Sequence, residues 1–396
     1  MLFNSNNPLK LPATHYDYII SGSGCAGLSL LHCMMQRPFF DNKKILVVDQ
    51  SPKSANDRTW CFWEQRPGMF EPIVHHRWEH LAFYSDYYSA RFDIDPYAYK
   101  MIRGIDFYQY VLGQAKHKPN IEFLYGKLQS LAGNESMASM IVDGTEYTGT
   151  YIFNSINLAE KKGYQAGGRY YSLLQHFKGW LIQTPVNCFD PGVATFMDFR
   201  VDQKHGTTFV YVLPVAGDKA LVEYTLFTQQ LLQPQEYDHA LGSYLSSFAG
   251  IKDYAVLEEE FGIIPMTNFP FSKGDGNVVT IGTAGGQTKA SSGFTFQFIQ
   301  KHTGKIVDAL MAGRDPHISN NFAGRRFSLY DSTLLNILSN KKMGGDKIFA
   351  DLFRSNPPQR VLRFLDNETN FPEELKIMRS VPAGIFFPAA MQELFR

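Results

Sequence analysis

The segment Tyr16 to Met35, reading YDYIISGSGCAGLSLLHCMM, constrains the fold of this chain more than any other. Tyr18, Ile19 and Ile20 form a short apolar run, as in a strand buried on both faces. Gly22, Gly24 and Gly27 follow in G-x-G-x-x-G spacing, and Leu28, Leu31 and Met35 then recur at helical intervals. The first glycine permits a tight turn, the second lets backbone N–H groups approach a pyrophosphate, and the third lets the helix lie close on the strand. The helix N-terminus presents its partial positive charge to the anion. A second strand, Ile45 to Val48, ends at Asp49. That is about 20 residues past the last glycine, where an acid bonds the ribose hydroxyls of an adenosine. Glycines alone serve ordinary turns; strand, glycines, helix, strand and acid in this order point to a dinucleotide.

With 396 residues the chain has room for two domains or one large α/β body. Lys+Arg and Asp+Glu both total 38, which argues against broad electrostatic binding to nucleic acid. Charged residues make up 19% and aromatics 14%, a balance that suits a large apolar ligand or a surface resting on lipid. Deep aromatic cores account for it equally well. Cys25, Cys33, Cys61 and Cys188 form no C-x-x-C pair and no zinc-type spacing with histidine, so no metal site is expected. They read as free thiols of a cytosolic protein. The opening MLFNSNNPLKLPATH lacks a charged region followed by an apolar one, and no secretory signal is expected. No apolar run reaches about 18 residues, so no membrane-spanning helix is expected either.

After Asp49 a polar loop leads into Asp57-Arg58-Thr59-Trp60-Cys61-Phe62-Trp63-Glu64, where the aromatics either anchor the segment or line a pocket with Arg58. Residues 75 to 100 read as strands of a small sheet, Ile105 to Ala115 as a helix and Ile121 to Leu124 as a strand. Ser139 to Val142 with Glu146 to Tyr151 reads as a hairpin, and Tyr151 to Asn154 as a strand returning to the main sheet. From Gly179 to Phe227 four apolar runs joined by short polar connections predict an antiparallel sheet with one apolar face. A helix is expected over Pro234 to Phe248 and a short strand over Phe261 to Thr267. Asn277 to Gly282, then Thr283-Ala284-Gly285-Gly286, Gly293 and a helical stretch Phe294 to Leu310, form a second strand–glycine–helix unit. Its helix N-terminus could receive the polar part of a cofactor. A nucleotide domain interrupted by a β insert and completed late points to FAD rather than NAD. Pro316 to Arg396 reads as helices broken at Pro357-Pro358, Pro372 and Pro382. Stripes on Phe349, Leu352, Phe353, Val361, Leu362 and Leu365 pack into the core or lie on a membrane.

The dinucleotide motif, Arg58 to Trp63, Phe196-Met197-Asp198-Phe199-Arg200, Phe209 to Pro214, Leu221-Val222-Glu223-Tyr224-Thr225 and Gly262 to Met266 together carry a resemblance. Over about Tyr16 to Ala312 the chain resembles the FAD-dependent lycopene cyclases, in the bacterial branch related to plant lycopene β-cyclases. The resemblance implies an α/β fold, the FAD-binding Rossmann-like fold of p-hydroxybenzoate hydroxylase-like flavoproteins. An inserted antiparallel β substrate domain and a helical C-terminal region complete it. The implied division is 1–60, 101–160 and 271–315 for the FAD domain, 61–100 and 161–270 for the substrate domain, and 316–396 for the helical region. One residue departs from the wider superfamily: Thr283 stands where an acid usually contacts FAD. A threonine hydroxyl still donates and accepts hydrogen bonds.

The implied reaction is a redox-neutral cyclisation of lycopene, or another acyclic carotenoid, to β-rings. A terminal double bond is protonated, a ring closes through a tertiary carbocation, and another proton leaves. Reduced FAD, with NAD(P)H as reductant, places a negative charge near the cation. A unit charge at about 4 Å in an effective dielectric near 20 is worth roughly 4 kcal/mol, on the order of a thousandfold in rate. Glu223, in an otherwise apolar strand at the position of the family's functional glutamate, is the acid–base candidate. Asp198 is a second carboxylate that either orients Arg200 or helps deprotonate. Gly22, Gly24, Gly27, Asp49, Arg58, Gly282, Thr283, Gly285, Gly286 and Gly293 are the expected cofactor-binding residues. A bilayer substrate implies a cytoplasmic protein held peripherally on the inner face of the cell membrane. Two other readings remain: a redox flavoenzyme such as a monooxygenase or prenyl reductase, which would consume NAD(P)H with each product, and a non-catalytic isoprenoid-binding protein, which would bind carotenoid without flavin.

Overall fold

The computed structural model describes residues 14–156, 169–247, 250–319 and 322–396. The Tyr16–Asp49 unit lies at the centre of the first sheet. Its strand Thr14–Ser21 runs parallel to Ile45–Asp49 on one side and to Thr145–Asn154 on the other. Ile121–Tyr125 extends the sheet beyond Ile45–Asp49, and Val278–Thr280 extends it beyond Thr145–Asn154. Ile19, Ile20, Leu46, Val47, Val48, Ile152 and Phe153 are buried, as strands covered on both faces require. One face carries the helices Cys25–Met35, Gly104–Ala115 and Phe296–Met311, which bring Leu28, Leu31, Phe107, Val111, Ile306 and Val307 onto Ile20, Val47 and Phe153. The other face is covered around Ile19, Leu46 and Val48 by Leu128, Met140 and Val142.

The second sheet has seven strands, in the order Ala255–Thr267, Ser172–Gln183, Lys219–Thr228, Thr207–Ala216, Val193–Asp198, His80–Tyr84 and Ser89–Asp93. All neighbours are antiparallel except Val193–Asp198 and His80–Tyr84, which run parallel. Strand alternation sorts its two faces. Val210, Val222, Tyr224 and Leu226 meet Tyr237 and Leu241 of the helix Pro234–Ser247. Phe209, Tyr211, Leu221 and Phe227 belong to an opposite core shared with Phe349, Phe353 and Leu362 of the C-terminal helices. A small sheet of Thr59–Glu64, Ala98–Arg103 and His76–Trp78 bridges the two larger ones. The C-terminal helices are Phe322–Ser339, Gly345–Ser355, Pro358–Leu365, Phe371–Arg379 and Ala383–Leu394.

Several expectations change. The expected hairpin and returning strand at Glu146 to Asn154 are one continuous strand, antiparallel to Ala138–Val142 at its start and parallel to Thr14–Ser21 along its length. The tryptophan segment is itself a strand, with Trp63 Nε1 donating to the Leu362 carbonyl at 3.1 Å. The expected short strand at Phe261 begins at Ala255. Its acidic run, Glu258-Glu259-Glu260, obscures a strand that lies at a sheet edge, where charge is tolerated. The Phe349–Leu365 stripes are core: Phe349, Leu352, Phe353, Val361, Leu362 and Leu365 are all buried, so none of them can rest on a membrane. Phe248 of the expected helix, the opening segment through Ala13 and the domain boundary at residue 160 lie outside the described residues.

Candidate active site

The three glycines of the first turn do three different things. Gly22 sits at φ +97°, and a Cβ there would overlap Ser155 Oγ. Gly27 has no room for a Cβ because the Gly22 carbonyl oxygen occupies it, so the helix lies directly on the turn. Gly24 is the N-cap of the helix Cys25–Met35 and faces open space, with nothing within 4 Å of where a Cβ would be. No side chain caps this helix and no acid lies in its first turn. Its leading N–H groups and positive dipole end are therefore free of a competing anion.

The second unit closes against the first. Gly282, at φ +66°, lies where a Cβ would come within 2.8 Å of Ala26 Cβ. Gly282, Thr283, Gly293, Thr295 and Phe296 line the same cavity as Gly24, Cys25 and Ala26. The Thr295 side chain makes no cap bond to the helix Phe296–Met311. Gly285 and Gly286 do not line the cavity; a Cβ at the first would overlap the Thr280 carbonyl, and Gly286 adopts φ +76° beside Phe271. Gly293 leaves room for Gln175 Oε1, a buried acceptor without a hydrogen bond. Open cradles at two helix N-termini and an unpaired polar atom between them fit a large anionic cofactor such as FAD.

Asp49 stands behind this cradle. Its Oδ2 accepts from Ser23 N at 2.7 Å and Ser23 Oγ at 2.6 Å, and Lys53 Nζ lies 3.2 Å away. Burial opposes ionisation, but the Ser23 hydrogen bonds and Lys53 outweigh it and hold the carboxyl below its usual pKa. Asp49 thus fixes the glycine turn, while Lys53 and Arg58 line the cavity. Arg58 is largely exposed, 3.4 Å from Asp57.

From the cradle a cavity of about 450 Å³ extends to the second sheet. There the register sets Tyr211, Glu223, Gly179 and Glu260 side by side across four adjacent strands. Gly179 has no side chain to separate its neighbours: a Cβ there would lie 3.0 Å from the Cγ of Glu223 and 3.0 Å from the Cγ of Glu260. The two glutamates thus meet over the glycine. Cys61 and Tyr99 of the small sheet complete this end of the cavity. Thr59 Oγ1 donates to Glu260 Oε2 at 2.9 Å, while Glu260 Oε1 is buried without a partner. Burial first, and the adjacent Glu260 second, raise the pKa of Glu223 well above the ordinary carboxyl range. Burial likewise raises Cys61, Tyr99 and Tyr211. This end of the cavity therefore sets the Glu223 carboxyl beside Glu260, with a thiol and two phenols that stay neutral around them.

Asp198 lies apart from it. Completely buried, it is not in the cavity lining and is gripped by Arg200 at 2.9 and 2.7 Å and by the Tyr244 hydroxyl at 2.9 Å. That geometry is the one by which it orients Arg200. Glu260 was missed by sequence reasoning, since within three consecutive glutamates it reads as part of a solvated charge run. Among the described residues no cluster of His, Cys, Asp or Glu could hold a metal ion.

Two strand–glycine–helix units, opening onto a cavity walled by a second sheet, define the p-hydroxybenzoate hydroxylase-like fold. Solved structures agree. A geranylgeranyl bacteriochlorophyll reductase-like protein from Thermoplasma acidophilum superposes with TM-score 0.63 and 11% identity, covering 97% of this chain and 99% of that one. A flavin-dependent monooxygenase solved with FAD and substrate gives TM-score 0.61 and 13% identity over 96% of this chain and 72% of that one. At the level of sequence, the family described as lycopene cyclase protein matches residues 17–392, and the chain belongs to that family. The lycopene β-cyclase of Pantoea ananas is 24% identical over 262 residues, which make up 64% of this chain and 63% of that enzyme.

Proposed function

We propose that this protein is a lycopene β-cyclase that converts the ψ-ends of lycopene, or of another acyclic carotenoid, to β-rings without net redox change. The observation that carries the reading is Glu223: a carboxyl whose pKa is raised, facing the cavity that leads to the dinucleotide cradle. Protonating a hydrocarbon double bond requires an acid kept neutral and kept from water, because the substrate offers no heteroatom to polarise.

Gly24, Gly282, Thr283 and Gly293 would hold FAD, with Gly22, Gly27, Asp49, Gly285 and Gly286 shaping the turns and Arg58 at the rim. Reduced FAD, with NAD(P)H as reductant, would supply negative charge to the carbocation. The chain's own part begins at Glu223, whose O–H proton passes to the terminal alkene carbon. Tyr99, Tyr211, Phe177 and Phe294 of the cavity wall exclude water from the cation that follows. Asp198 has a structural part, holding Arg200 and Tyr244 away from the cavity.

A bilayer substrate calls for peripheral contact with the inner face of the cell membrane. Among the described residues no helix is long and apolar enough to cross a membrane. The apolar side chains available for lipid are exposed ones on the last two helices and at the C-terminus, such as Phe371, Leu375, Phe387, Leu394 and Phe395. Expression in a lycopene-accumulating bacterium tests the proposal. The expected pigments are γ-carotene and β-carotene, and unchanged lycopene from a flavin-loaded protein would refute it.

A further inference from the structure

The carboxyl pair lies between two cavities. Glu260 and Thr59 line the large cavity, and both also line a second one of about 200 Å³. The second cavity has His75, Arg103, Lys219, Glu258 and Glu259 in its walls. The Thr59–Glu260 hydrogen bond therefore stands at the partition.

The hydrogen bonds distinguish the two carboxyls. Thr59 donates to Glu260. Among the described residues no group donates to Glu223. The second oxygen of Glu260 is a buried acceptor with no donor in reach other than a protonated Glu223. Burial and the adjacent carboxyl together favour the protonated form of Glu223.

We propose that Glu260 is the proton acceptor of the cyclisation, acting with Glu223 as a pair that begins and ends each turnover with a single proton. This rests on the cyclase reading above. In the first step the Glu223 O–H bond breaks, and the alkene π pair forms the new C–H bond. The next double bond then closes the ring, leaving a tertiary cation. In the last step a ring C–H bond breaks, its electron pair becomes the ring double bond, and its proton goes to a carboxylate oxygen of Glu260. Transfer across the contact above Gly179 then restores Glu223. No oxidant or reductant enters, and the second cavity gives the pair its route to solvent protons. Gly179 is a positioning residue, since any side chain there would push the carboxyls apart.

The groups facing the pair are Cys61 and Thr59 from Thr59–Glu64, Tyr99 from Ala98–Arg103 and Tyr211 from Thr207–Ala216. Lys53 and Arg58 line the large cavity, and the five charged or titratable residues named above line the second. Close to the carboxyls, the remaining titratable groups are a thiol and two phenols raised by burial, which stay neutral through the physiological range.

The test uses flavin-loaded protein and two readouts. The infrared C=O stretch of a protonated carboxyl, identified by its shift in D₂O, should be present at neutral pH, absent in Glu223→Gln and displaced in Glu260→Gln. With lycopene in vesicles, Glu260→Gln should lower kcat by about 10² to 10⁴, hold KM within about threefold and move the alkaline limb of the pH profile to lower pH. That limb moves because the neighbouring carboxylate no longer opposes ionisation of Glu223. Gly179→Ala keeps both carboxyls, so should Glu260→Gln lose its flavin it provides the second variant; displaced stretch and at least tenfold lower kcat are expected. An unmoved stretch, an unmoved pH limb, or kcat within about threefold of wild type in the variant tested would each overturn the assignment. If wild type fails to cyclise lycopene, the cyclase reading falls, and the infrared arm alone still decides whether the carboxyls share a proton.

Discussion

Glu223 is a carboxyl that folding moves from water to a wall of aromatic side chains, beside a second carboxyl. The unfolded chain ionises it above about pH 4.3, whereas the folded chain binds its proton well beyond that. Stability therefore falls as pH rises from the unfolded pKa towards the folded one, because in this window the native state holds a proton that the unfolded state has released. Glu223→Gln removes this pH dependence. Thermal unfolding should show the variant more stable than wild type at neutral pH, with the gain vanishing below about pH 4. Its cyclase activity should fall by about 10² to 10⁴ with FAD retained. An equally stable variant at pH 7 would mean that the carboxyl is ionised in the fold. Asp198 is the contrast. In Asp198→Asn the charge gripped by Arg200 is lost, and since Arg200 is partly solvated the cost should be about 1 to 3 kcal/mol. Urea unfolding measures it, and cyclisation per folded molecule should persist.

At the scale of elements, the first turn separates binding from folding. Gly24 faces open space, so Gly24→Val should leave the fold intact and abolish flavin binding. Gly27 touches the Gly22 carbonyl, so Gly27→Val should instead destabilise the fold. Absorbance of the flavin and a thermal melt of each variant distinguish the two; full flavin in Gly24→Val would remove the cradle from the account. This unit was legible in the sequence because strand, turn, helix and acid follow one another along a short stretch of chain. The carboxyl pair was only half legible. Glu223 stands out within an apolar strand, but Glu260 becomes its neighbour through the register of the central Ser172–Gln183 strand with both flanking strands. Such a pairing across separate strands leaves no local periodicity. The parallel pairing of Val193–Asp198 with His80–Tyr84 was hidden for the same reason.

Across the whole molecule, the two sheets divide the proposed work: the first holds the cofactor, and the second carries the acid. The C-terminal helices were read from their proline breaks, yet whether their apolar stripes faced core or lipid could not be told from spacing alone. Burial decided it, because Phe349, Phe353 and Leu362 complete the core of the second sheet. Membrane contact then falls to other residues. Replacing Phe387, Leu394 and Phe395 together by serine should reduce flotation with anionic vesicles without altering flavin content; unchanged flotation would place the contact elsewhere.

Redox balance is the direct test of the central claim. Enzyme reduced with dithionite under anaerobic conditions is given lycopene in vesicles without nicotinamide, and product mass is followed alongside reductant use. The account predicts many rings per flavin, products isomeric with lycopene, and in D₂O one deuteron gained per ring as the carboxyl pair exchanges with solvent between turnovers. Reductant consumed in step with each ring formed, or a product heavier than lycopene by hydrogen or oxygen, would contradict it.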